Sequence, residues 1–350
     1  MDLFLPIVDE SRMHPNFKTI YSNPIYQPQR EVVSEWVNGF VDRDNKFVYE
    51  FQTTFNSSFW ELYLFAIFKQ FGFSINMEHN RPDFLLSKDT DSFVVEAVVA
   101  NEAQGMDPEY YEDYRDWKHL RALDDFTDFN RLAMIRLSNS ICSKHKLYKQ
   151  SYSSLEHVKG KPFIIAIAPF HAPYHYFCAD VPIRGVLYDY YVDEQALKVH
   201  PESYPDGRPP TVHLGEIEKD NGSYITLGLF NDTYMPEVSA IIFNPIATWG
   251  KVDALARVQP NSYMFFQTVS LVNGESVMSI LPKHEYVESI FAGLQIYHNP
   301  YASFPLSKDL FENPEVPQCF GYYPQTDFLL YNHYNNCLMT RTVMRISAKQ

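Results

Sequence analysis

Metal-binding cysteine spacings are missing from this sequence. Its four cysteines, Cys142, Cys178, Cys319 and Cys337, lie far apart and form no CxxC pair. That argues against a zinc site of the usual spacing and for free thiols in a reducing compartment. A membrane span is missing too. The most apolar stretch, residues 59–68, is interrupted by Glu61 and falls short of the ~20 apolar residues that cross a bilayer. The N-terminus MDLFLPIVDE has no basic leader, so no secretory signal is read there and a cytoplasmic location is expected. Neither a GxSxG elbow nor a P-loop occurs, which leaves acyl transfer and nucleotide hydrolysis without support. No internal repeat or low-complexity tract is visible. Basic residues are the minority, 29 against 43 acidic, for a net charge of −14. The molecule as a whole therefore repels nucleic acid.

What is present is a chain able to bury a large core. Apolar residues make up 45% of the 350, and aromatics 16%, a composition that excludes disorder. Three regions are expected: an irregular N-terminal arm over 1–50, a body over 51–250 with an insertion of hairpins and loops at about 170–236, and a mixed C-terminal extension over 251–350. Within the body, a buried helix is predicted over 57–71, with Ser58-Phe-Trp-Glu61 as a capping box and Gly72 as its stop. Strands follow at 72–78, 83–86 and 93–100, then an acidic, tyrosine-rich loop with a short helix at 104–126. A long helix is expected at 127–149 and buried strands at 163–168 and 238–243. Further strands are read at 263–270 and 276–281, and a helix at 284–294. The order through residue 168 is α-β-β-β-α-β, a mixed α/β fold. Charge is uneven: between residues 131 and 161, Arg131, Arg136, Lys144, Lys146, Lys149, Lys159 and Lys161 face the single acid Glu156, a strip able to hold a phosphate backbone.

The stretch RPDFLLSKDTDSFVVEAVV carries the chemistry. Asp83 opens one strand and Glu96 sits in the middle of the next, so a tight antiparallel pair brings them together. A glutamate among Val94, Val95, Ala97 and Val98 needs a partner. A divalent cation with a preference for oxygen is one natural choice. Arg136, Ser140, Lys144 and Tyr148 recur every fourth residue of the long helix and read as a polar stripe aimed at an acidic site or a phosphate.

Glu61 in FWELYL, Pro82-Asp83 in RPDF and Glu96 in VVEAV, in that element order, resemble the PD-(D/E)xK restriction-endonuclease-like superfamily. The likeness covers roughly residues 55–170. It implies a restriction-endonuclease-like core in which Asp83, Glu96 and the carbonyl of Ala97 bind Mg²⁺ or Mn²⁺ and Glu61 reaches the metal directly or through water. Val98 stands where the family keeps its lysine. Lys144 on the long helix is the candidate to supply that group, with Arg136, Ser140 and Tyr148 toward substrate. Several branches of this superfamily are associated with defence against phage. The implied function is endonucleolytic cleavage of DNA or RNA, with a phage protein as a trigger recognised by the C-terminal half and a homodimer admitted.

Plainer readings stand beside these. Glu61 could be only a capping residue, Asp83 a turn residue, and Glu96 the partner of Lys144 or Arg81. Lys144 and Arg136 could lie on a solvated helix face. His171 and His175 are read as loop histidines rather than a metal pair. The alternative function is a catalytically decayed nuclease fold acting as a binding or sensing module; a structural subunit of a larger complex is the third.

Overall fold

Short runs of aromatic and aliphatic residues fold the first fifty residues into helices, where an irregular arm was expected. The computed structural model describes residues 1–111, 126–205, 207, 209–257, 264–272, 275–333 and 337–345. Helices α1 (Pro15–Tyr21), α2 (Gln27–Trp36) and α3 (Phe47–Thr53) bury Phe17, Ile20, Val33, Trp36 and Phe51. Each spans only two or three turns, too few for a periodic signal in the sequence. α4 (Phe55–Gln70) is buried on nearly every side, as its composition requires. It starts ahead of the expected capping box, with Thr54 at its N-cap. Ser58 is therefore a buried interior residue, and the capping role expected of Glu61 does not arise. Gly72 ends the segment at φ +78°, the left-handed backbone that glycine accommodates.

Beyond α4 the chain forms β1 (Ser74–Asn76), β2 (Phe84–Lys88) and β3 (Asp91–Val99) as an antiparallel run. α5 (Phe126–Leu147) and a π-helical turn, Tyr148–Tyr152, lead to β4 (Phe163–Ala168), parallel to β3. The expected loop and short helix over 104–126 fall largely outside the described residues. The insertion carries α6 (Val181–Tyr188) and α7 (Glu194–Val199), with two small hairpins, β5 (Tyr191–Val192) with β6 (Thr211–Val212) and β7 (Glu216–Glu218) with β8 (Tyr224–Thr226). β9 (Val238–Phe243) returns parallel to β4, and α8 (Trp249–Leu255) follows it.

The hundred residues after 250 do not stand apart. β10 (Met264–Val272), β11 (Glu275–Pro282) and β15 (Cys337–Arg345) make a three-stranded sheet, but β12 (Gln295–His298), β13 (Gln318–Tyr323) and β14 (Phe328–Tyr331) extend the main one. Its order is β1-β2-β3-β4-β9-β12-β13-β14. The result is a mixed α/β fold whose eight-stranded sheet crosses the boundary expected at residue 250. Alternate residues of the central strands serve opposite faces. Val95, Ile164 and Ile242 join the α4 core, whereas Val94, Ile165 and Ile241 join the core under α5 and α6.

The helix expected at 284–294 is instead an irregular segment of turns. Tertiary demand explains the override. The segment delivers Glu288, whose side chain is 1% exposed, to the ammonium of Lys251 and to Arg341 Nη1 at 2.6 Å. Tyr286 donates its hydroxyl to the second oxygen of Glu288 at 2.6 Å. This buried cluster joins α8, β15 and the 284–294 segment. Among the described residues no helix is long and apolar enough to cross a membrane.

Candidate active site: an acidic cluster on β2 and β3

Strand register places the first two acids. Phe84 pairs with Val95, so Asp83, one residue earlier, falls opposite Glu96 and both side chains share one face. Asp83 Oδ2 accepts the backbone N–H of Ala97 at 2.7 Å. Glu96, only 3% exposed, accepts the Lys144 ammonium on Oε1 at 2.7 Å and the Tyr152 hydroxyl on the same atom at 3.2 Å. Its other oxygen, Oε2, is buried without a hydrogen-bond partner. Glu61 comes in from α4 with Arg43 Nη2 at 3.8 Å from its Oε1.

The carboxyls perturb one another. Burial pushes Glu61 up to about 8, with Asp83, Glu50 and Glu96 adding to the rise and Arg43 opposing it. Burial, then the charge of Asp83, lifts Glu96 to about 7 against the pull of Lys144 and Tyr152. Asp83 is raised by burial and restrained by the Ala97 N–H, Lys144 and Arg43. Burial is the first cause of the rise in all three carboxyls, and for Glu61 and Glu96 the charge of Asp83 is the second.

Asp83 and Glu96 thus share one sheet face with Lys144 bound to Glu96, and Glu61 on α4 is coupled to them electrostatically. The rest of the expected stripe does not reach them. Arg136 donates through Nε to the carbonyl of Asn101 at 2.7 Å, past the end of β3. Ser140 is partly buried on α5 and does not join the acids. Tyr148 is a correction: it is buried, its ring stacked on Phe163 with centroids 4.2 Å apart. The π-helical turn and the drift of every fourth residue around a helix of 3.6 residues per turn hand its place to Tyr152. Tyr152 continues the 136-140-144-148 spacing and could have been found by extending it. Arg43 sits in a turn with no periodicity, and nothing in the sequence marks it. Val98, on the same face as Glu96, packs into the core beneath α5.

The basic strip is mostly neutralised. Arg131 is bound to Asp128 at 2.8 Å and Asp220 at 3.0 Å, Lys159 to Glu156 at 2.5 Å, and Lys149 lies 3.8 Å from Glu237. His171 and His175 are hydrogen-bonded, as loop histidines can be, but buried; burial lowers them to about 3 and about 4, so both are neutral. Their rings lie 6.3 Å apart, and each Nδ1 faces a backbone carbonyl.

Among the described residues no three His, Cys, Asp or Glu side chains stand in metal-holding geometry. Lys144 holds one oxygen of Glu96 and the Ala97 N–H one of Asp83. The donor chemistry nevertheless fits a hard cation: all three groups are carboxylates, and Glu96 Oε2 is a buried acceptor with nothing to accept. No family model, no curated protein and no solved structure matches this chain.

Proposed function

We propose that this chain is a metal-dependent nuclease that hydrolyses phosphodiester bonds of DNA or RNA, an activity suited to an abortive-infection effector against phage. The observation that carries the reading is the apposition of Asp83 and Glu96 on one sheet face with Lys144 2.7 Å from Glu96. Asp83, Glu96 and Glu61 are the residues that would hold Mg²⁺ or Mn²⁺, together with the carbonyl of Ala97. When bound, the cation polarises a phosphate and acidifies a water. Lys144 enters from a helix where the family's strand lysine is replaced by Val98. Its ammonium neutralises Glu96 in the resting site and offsets negative charge that develops beside it. Tyr152 fixes the Glu96 carboxylate through its hydroxyl, and the backbone N–H of Ala97 fixes Asp83. Arg43, 3.8 Å from Glu61, is a further cation that would face a phosphate.

The test is direct. Purified protein nicks plasmid or cleaves RNA with Mg²⁺ or Mn²⁺, and Asp83→Ala or Glu96→Ala abolishes the cleavage. Wild-type and Glu96→Ala protein behaving alike would end the proposal.

One observation favours a second reading, a binding or sensing module on the same fold. The Lys144–Glu96 pair already supplies a cation to the buried acid, and the paired basic strip offers few charges to a phosphate backbone. Calorimetry separates the two: the nuclease takes up Mn²⁺ and loses that heat in Asp83→Ala, whereas the module shows no heat in either protein.

A further inference from the structure

A well-lined cavity lies beyond the carboxyl edge of the sheet's parallel strands. Segments that follow the carboxyl ends of β3, β4 and β9 all contribute to its wall, through Glu109, His175 and Trp249 among others. In open α/β sheets this edge is where ligands collect. The volume is about 710 Å³, within the range of small-molecule sites. None of Glu61, Asp83, Glu96 and Lys144 lines it.

Two features define what would fit. The first is a continuous aromatic wall. Trp249 lies 6.1 Å from Phe55, 6.2 Å from Phe59 and 6.5 Å from Tyr26, ring centre to ring centre. Such a wall takes a planar ring by stacking or edge contact. The second is a polar corner around Glu109, which is 8% exposed. Its Oε1 accepts from Asn16 Nδ2 at 2.8 Å. Asn56 and the Tyr110 backbone also bond this carboxyl, while burial raises it. Among the described residues no lysine or arginine is paired with it. A buried carboxylate held only by amides seeks further N–H donors.

The two arginines described on the wall already have carboxylate partners: Arg345 is bound to Asp253 and Arg341 to Glu288. Each is held by a carboxylate, although Nε of Arg341 is buried without a hydrogen-bond partner. The indole N–H of Trp249 and Nε2 of His175, both on wall residues, are buried without hydrogen-bond partners. Among the described residues the wall is thus aromatic, carries unsatisfied polar atoms, has the Glu109 carboxyl as a polar corner held by amides, and has its arginines paired with carboxylates.

We propose that this cavity binds an uncharged purine nucleoside or nucleobase that presents adjacent N–H donors to Glu109 and lays its ring against Trp249 and Phe55. Guanine, with its ring N–H and exocyclic amine on one edge, meets the carboxylate with two hydrogen bonds. The inference does not depend on the acidic cluster. It is distinguishable from it, because Asp83→Ala leaves this cavity intact.

The experiment titrates the full chain with guanosine, adenosine, cytidine and uridine, followed by tryptophan fluorescence and by calorimetry. Guanosine is expected to quench emission and to bind one per chain. Glu109→Gln is expected to weaken it at least tenfold while leaving the circular dichroism unchanged. Trp249→Phe removes most of the quench and keeps the heat, which assigns the signal to this cavity. A Glu109→Gln protein that does not fold leaves the wild-type titration decisive: heat and quench with guanosine and neither with uridine support the site. The proposal is overturned if no nucleoside binds, if uridine binds as well as guanosine, or if folded Glu109→Gln binds like wild type.

Discussion

Replacing Glu96 by glutamine separates a working acid from a structural ion pair, because the two make opposite predictions for stability. The carboxyl rises from 4.5 to about 7 on folding, first through burial and then through Asp83. A carboxyl that holds its proton more tightly folded than unfolded makes stability fall as pH climbs from about 4.5 to about 7, and leaves it level outside that window. Holding that charge in the fold costs on the order of 3 kcal/mol once it is fully ionised. The glutamine side chain avoids this cost and can still accept from Lys144 and Tyr152 through its carbonyl. Its amide nitrogen inherits the place of Oε2, which already lacks a partner, so one orphan replaces another. The pull of Lys144, a residue 24% exposed, is already contained in the value of about 7. With chelator present, urea unfolding at pH 8.5 should therefore show Glu96→Gln more stable than wild type by about 1–3 kcal/mol, and close to it at pH 5. Adding Mn²⁺ should stabilise wild type alone, and nuclease activity should vanish in the variant. If Glu96→Gln is less stable by the same amount at both pH values, the carboxylate is an anchor for Lys144 and the acids do not destabilise one another.

Tyr152→Phe removes one donor to Glu96 without opening a cavity; cleavage should fall about tenfold, matching ~1.4 kcal/mol, with a urea midpoint close to wild type. Lys144→Met takes away the ammonium at 2.7 Å; Glu96 should then titrate at higher pH, so activity, measured with metal across pH 6–9, should drop most steeply on the acid side. Glu288→Gln leaves Lys251 and Arg341 buried with a neutral partner and should cost about 3–5 kcal/mol in urea unfolding; a loss under 1 kcal/mol would show the cluster to be well hydrated.

The apposition of Asp83 and Glu96 was legible because its signals are local. Pro82-Asp83, the SKDTDS turn and Glu96 lie within one hairpin, and register follows from the alternation of Phe84, Leu86, Phe93 and Val95. The central strands at 163–168 and 238–243 were equally clear, as short apolar runs between turn residues. Tyr148 escapes the pattern because a π-helical turn shifts the phase of the helix, a change that periodicity does not encode. The first helices were too short to register as a pattern. At 284–294 the sequence has helical spacing, but burial of Glu288 against two cations outweighs it. The continuation of the main sheet by β12–β14 rests on contacts between segments far apart in the chain, which composition does not reveal.

The separation in sequence between the two acids and their cation also bears on how the chain assembles. The β2–β3 hairpin closes over a few residues and can form within microseconds, which sets two like charges side by side before any relief arrives. Lys144 is 48 positions beyond Glu96 and comes into place only when α5 docks beneath the parallel strands, a slower and longer-range event. In the nascent hairpin, proton uptake is the available remedy. Acidic conditions should therefore speed the early phase of refolding, and the arriving helix should then expel the borrowed proton.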